Sequence, residues 1–131
     1  MKAFFINFIL LVGFSMAIAQ GQNLEFTAGN TKSFYPKFVI NNGKTTLTTK
    51  AMITMTQTWN QVPVNFDNSD GRSRYKMVIT EDSKDLRTTY EFFWMHMRSV
   101  NRYSGNLKVK ILDKKSDRVT ERSESYSGKL I

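Results

Sequence analysis

The sequence predicts an all-β domain, an antiparallel meander of six or seven strands forming a small sandwich or barrel. Three observations carry this reading. Apolar residues recur with a period of two between clusters of Asn, Asp, Gly and Ser, as they do on strands with one buried face. Threonine, isoleucine, valine and the aromatic residues crowd those stretches, and stiffness at Cβ suits an extended backbone. The chain has no cysteine, so burial and backbone pairing must hold the fold without disulfides.

The first element is not a strand. Lys2 precedes an apolar run from Ala3 to Ala19, interrupted by Asn7, Gly13 and Ser15 and closing on Ala17-Ile18-Ala19. Small residues at the third and first positions before Gln20 fit the shallow subsites of a signal peptidase. The run is also shorter than a relaxed bilayer span of roughly 20 residues. Residues 1–19 are therefore expected to be a signal peptide and residues 20–131 a single β-rich domain, secreted or periplasmic. That leaves about 112 residues, enough for one core.

Phe34, Phe38 and Ile40 share a face of the first long strand, which should start at Pro36 or lie at a sheet edge because proline has no amide hydrogen to donate. Asn41-Asn42-Gly43 supplies left-handed conformations for a tight hairpin. Thr45 to Trp59 then reads as one strand. Leu47, Ala51, Ile53, Met55 and Trp59 lie on one side, and Thr46, Thr48, Lys50, Met52, Thr54, Thr56 and Thr58 on the other. Gln61 to Gly71 reads as a loop. Tyr75, Met77 and Ile79 alternate with Arg74, Lys76 and Thr80, and Glu81 to Asp85 turns the chain.

Residues 86–100 admit two readings. A helix over 86–100 would gather Leu86, Tyr90, Phe93, Met97 and Val100 and make the fold α+β, but it would leave Phe92 and Met95 on its polar side. A strand is preferred, apolar on both faces from Phe92 onward, as a central strand covered on two sides would be. Leu107, Val109 and Ile111 next alternate with Lys108 and Lys110. Asp113 to Asp117 turns the chain into a polar last strand, Arg118 to Tyr126.

No catalytic, cofactor or metal site is expected, and the chain is not read as an enzyme. His96 is the single histidine; on a strand Glu91 points away from it, and one imidazole matches no usual zinc spacing. Asp67-Asn68-Ser69-Asp70-Gly71 fails as a calcium loop. Counted from Asn65, Asp70 stands where glycine is needed and Lys76 where glutamate is needed. The segment reads as a turn.

The charge balance points to binding. The formal net charge is +8, falling to about +7 once Lys2 is lost with the leader. Such a field favours anionic partners: an anionic glycan, a lipid headgroup or an envelope protein. No specific nucleic-acid motif is present, and no transmembrane span is expected after leader removal. Arg98, Arg102, Lys108, Lys110, Lys114 and Lys115 are the candidate binding residues, with Glu121 and Glu124 placed to blunt their field across the hairpin. Tyr103 and Tyr126 lie near them in sequence, and Trp59 and Phe66 flank the central loop, where aromatic faces beside cations can hold sugars or bases. Trp59 and Trp94 are nonetheless expected mainly in the core. The function expected is an exported, non-catalytic binding module. The alternative is a carrier of a small hydrophobic ligand, its cavity lined by Phe92, Phe93, Trp94, Met95 and Met97.

Overall fold

The computed structural model describes residues 23–97 and 102–131. The leader, Arg98 and Val100 lie outside the described residues. The described chain is all-β and antiparallel. Its strands are β1 (Leu24–Ala28), β2 (Lys37–Asn41), β3 (Lys44–Lys50), β4 (Thr54–Asn60), β5 (Asn65–Asp67), β6 (Arg74–Asp82), β7 (Leu86–Met97), β8 (Arg102–Asp113) and β9 (Arg118–Leu130). They form one sheet in the order β4-β3-β2-β1-β9-β8-β7-β6-β5. Two meanders, β1–β4 and β5–β9, meet where β1 pairs with β9 from Leu24↔Leu130 to Ala28↔Tyr126.

Chain connectivity forces this sheet to curl. β4 and β5 follow one another in sequence yet stand at opposite edges. The link from Asn60 to Asn65 reaches roughly 17 Å at full extension, whereas nine strands laid flat would part the edges by about 38 Å. The result is a half-barrel whose inner wall packs on itself. Val64, in that link, is buried in the core.

Nine strands replace the expected six or seven for three reasons. β1 was not foreseen, and β5 interrupts the loop expected from Gln61 to Gly71. The single strand expected from Thr45 to Trp59 is a hairpin, reversed at Ala51–Ile53, with Thr45 opposite Trp59 and Leu47 opposite Gln57. Folding back lets Trp59 reach Tyr90 and Phe92, with ring centroids 5.0 and 6.3 Å apart. A straight strand would carry Trp59 away from that core.

The other boundaries follow local chemistry. β2 begins directly after Pro36, and Asn42 and Gly43 both take positive φ (51° and 78°) in the turn to β3. Leu86–Met97 is a strand, not a helix. Its alternation sends Phe92 and Trp94 into the core and leaves Phe93 and Met97 exposed. The expected covering of both faces is thus corrected: among the described residues no second layer of strands or helices lies over the outer face of β7.

Aromatic rings dominate the core. Phe26 stacks on Phe38 at 4.3 Å, and Phe38 meets Phe92 and Tyr126 edge-on at 4.8 and 4.9 Å. Full burial of one such side chain contributes about 1.5–3 kcal/mol. Polar groups tie the two halves together. The Tyr126 hydroxyl donates to the Tyr35 carbonyl at 2.6 Å, the Tyr90 hydroxyl donates to Gln57 Oε1 at 3.2 Å, and Gln57 Nε2 donates to Glu81 Oε1 at 3.2 Å. Burial pushes the phenol pKa of all three tyrosines, Tyr35, Tyr90 and Tyr126, above its ordinary value.

Candidate binding surface

The long strands β6 to β9 present an outer face built by register. One row runs Lys76, Phe93, Asn106, Ser125 and the next Arg74, Met95, Ser104, Ser127. Residues directly opposite on antiparallel strands point to the same side. These rows therefore gather cations, an aromatic ring, a thioether and short polar groups on one patch. A shallow hollow of about 420 Å³ lies there, lined by Arg74, Phe93, Met95, Ser104, Asn106 and Ser125 among others. The Lys76 ammonium sits 5.2 Å from the Phe93 ring centroid, a cation–π contact in a partly wet setting.

Alternation along β8 places Arg102, Lys108 and Lys110 on this same face. Lys108 stands 3.8 Å from Glu121, and in register it lies between Glu91 and Ser123. Lys110 lies between Thr89 and Glu121 in register and makes no ion pair among the described residues. Arg102 lies at the far end of the strand, where it borders a second hollow of about 290 Å³ with Glu25, Thr27, Ser127 and Lys129. Glu25 there is shared between Lys37 at 3.8 Å and Lys129 at 3.9 Å.

Lys114 and Lys115 belong to a different place. Lys114 Nζ lies 2.7 Å from Asp82 Oδ1 and donates to the Ser83 carbonyl at 2.7 Å, while Lys115 lies 3.6 Å from Asp85. These contacts clamp the β8–β9 turn to the β6–β7 turn. The Lys114 ammonium, helped by the Arg87 guanidinium, holds the Asp82 carboxyl below the usual carboxylate range. Of the six candidates, then, three share the outer face of β8, two are engaged at the turns, and Arg98 lies outside the described residues.

The sequence groups Arg74 and Lys76 with these lysines by charge alone, and does not join Phe93 and Met95 to them. The signal was present in the outward phase of β7, opposite Trp94, and in the short polar residues at outward positions of β8 and β9. Tyr103 and Tyr126, considered near the cations, are buried instead. Glu124 lies opposite Leu107, on the inner side, and so cannot blunt the outer field. Phe66 is exposed and leans on Tyr75 at 5.1 Å. Trp94 is core, as expected, and Trp59 is half-buried against it.

The residues expected to line a ligand cavity are divided by the pleat. Phe92 and Trp94 fill the interior, whereas Phe93 and Met97 are exposed on the other side and Met95 lines the outer hollow. His96 rests against Tyr103 at 4.9 Å, on the face opposite Glu91. No group of three His, Cys, Asp or Glu side chains gathers to hold a metal ion among the described residues. Among them, too, no helix is long and apolar enough to cross a membrane. No protein-family profile, curated protein sequence or solved structure matches this chain.

Proposed function

We propose that this chain is an exported, non-catalytic binding module that takes an acidic glycan on the outer face of β6–β9. The observation that supports it is the patch where Phe93 and Met95 lie between Arg74 and Lys76 on one side and Ser104, Asn106 and Ser125 on the other. Cations meet the carboxylates or sulfates of such a polymer, and the short polar groups offer hydrogen bonds to its hydroxyls. The Phe93 ring offers an apolar face to a sugar ring. This mixture suits a hydroxyl-rich chain better than a lipid headgroup or an acidic protein face. The leader-like residues 1–19 supply the route to where such polymers occur.

The test is binding of the purified domain to a sulfated polysaccharide matrix across a salt series. Retention should weaken steeply from low to physiological ionic strength, as the screening length contracts to about 8 Å. Charge reversal by Lys108→Glu with Lys110→Glu should lower affinity by about tenfold or more, a change of roughly 1.4 kcal/mol. Binding that ignores salt and survives this double substitution would overturn the reading.

A further inference from the structure

We propose that β4 is the contact strand of a symmetric dimer, in which it pairs antiparallel with β4 of a second copy. This lies apart from the glycan surface, at the opposite end of the sheet.

Strand edges carry unpaired amides and carbonyls, and natural sheets blunt them with charge, proline or brevity. Among the described residues four stretches of edge differ sharply in this respect. One, Met77–Asp82 of β6 beyond β5, ends in Glu81 and Asp82 and has Gln57 of β4 bonded to Glu81. β5 has three residues, includes Asp67 and follows Pro63 closely. The part of β9 that runs beyond β1 carries Arg118, Glu121, Arg122 and Glu124. β4 is seven residues long, Thr54-Met55-Thr56-Gln57-Thr58-Trp59-Asn60, with no charge and no proline. It pairs with β3 on one side and with no strand on the other.

The hydrogen-bond phase shows which groups that edge offers. Gln61 N–H donates to the Gly43 carbonyl at 2.8 Å, and Ala51 N–H donates to the Ile53 carbonyl at 3.2 Å. In an antiparallel ladder bonded pairs alternate with unbonded ones. So Met55, Gln57 and Trp59 bond to β3, and Thr54, Thr56, Thr58 and Asn60 direct their amides and carbonyls outward.

The strand is also complementary to itself. A two-fold axis through Gln57 sets Thr56 against Thr58, Thr54 against Asn60 and Met55 against Trp59 of the second copy. Thr–Thr and Met–aromatic pairs are favourable cross-strand neighbours, and this register forms about eight main-chain hydrogen bonds. At each end of this pairing the Ala51–Ile53 turn of one copy comes near Asn60, where β4 of the second copy ends. Met52 and Ile53 are the most exposed large apolar residues described, at 101% and 68% of full exposure. The pairing gives that apolar tip a partner, where a monomer leaves it in water.

Analytical ultracentrifugation of the mature chain from about 1 to about 100 µM tests this, with a concentration-dependent dimer expected. Thr56→Lys with Thr58→Lys opposes like charges twice across the axis, and should raise the dissociation constant by about tenfold or more. Thr56→Lys with Thr58→Glu sets opposite charges at the same positions and should restore the dimer. Thr56→Pro removes an outward amide without touching the β3–β4 ladder, and should yield a monomer. Circular dichroism and a thermal melt confirm that each variant is folded. A wild-type monomer across the whole range overturns the proposal, as does a dimer indifferent to the charge pattern. Neither result bears on polysaccharide retention, which is read from Lys108 and Lys110.

Discussion

The Phe26 ring lies over Gly128, its direct partner across the β1–β9 pairing, so closely that a methyl group on Gly128 would overlap the ring edge. Gly105, on β8, leaves room for the same ring, with an added Cβ falling 2.7 Å from Phe26 Cδ1. Two glycines thus form the seat of one phenylalanine, and the ring they seat stacks on Phe38. Gly128→Ala is expected to destabilise the domain by about 1–3 kcal/mol through overpacking, and Phe26→Ala by about 3–5 kcal/mol through the cavity it leaves. The double variant should cost less than the sum, because the methyl group refills space the ring vacates. Urea denaturation of the three variants measures the coupling.

Alkaline pH should weaken the fold. Burial raises the pKa of Tyr35, Tyr90 and Tyr126 above the ordinary tyrosine value, most strongly at Tyr126. Their contribution is fully present below pH 10, near which the unfolded chain begins to release these protons. As pH rises past 10 the unfolded state binds fewer protons than the folded one, so stability falls. Tyr126→Phe should flatten this decline while costing about 1–2 kcal/mol at neutral pH for the lost bond to the Tyr35 carbonyl. Thermal midpoints recorded from about pH 8 to about pH 11 give both numbers.

The β2–β3 turn makes a sharper claim about backbone. Gly43 holds a φ of 78° and Asn42 one of 51°, so Gly43→Ala should cost about 1 kcal/mol. Asn42→Gly should change stability by no more than a few tenths of a kcal/mol, because asparagine already tolerates this conformation at little cost. Equilibrium denaturation distinguishes the two.

Lys114, in the β8–β9 turn, and Lys110, on β8, should behave differently although they are close in sequence. Lys114→Glu disrupts an exposed clamp on Asp82, so stability should change by less than about 1 kcal/mol, and less still in high salt. Retention on a sulfated matrix should barely move. Lys110→Gln, which removes the charge without setting a second carboxylate opposite Glu121, should leave the thermal midpoint unchanged and reduce that retention.

Alternation made most of the sheet legible, and it also hid the β3–β4 hairpin. Thr45 pairs with Trp59 and Leu47 with Gln57, odd residues with odd, so the inward phase runs through the reversal without a break. Ala51-Met52-Ile53 contains neither glycine nor proline to mark the turn. β1 escaped notice because Leu24 and Phe26 are the two large apolar residues of a five-residue strand, completed by a partner about a hundred residues away. The cations on β8 were legible as a shared face. Their neighbours Arg74, Lys76 and Phe93 were not, because pairing register between distant strands is set by the whole sheet rather than by local spacing.

The β1–β9 junction has a consequence for how the polypeptide acquires its shape. Leu24 is among the first residues of the sheet to be made and Leu130 among the last, yet they are neighbours in its middle. Until β9 exists, β1–β4 form half a wall with nothing alongside. Contacts so far apart in sequence make folding slow. Throughout synthesis the chain must therefore remain pliable, its greasy N-terminal half waiting for the final strand to lock it.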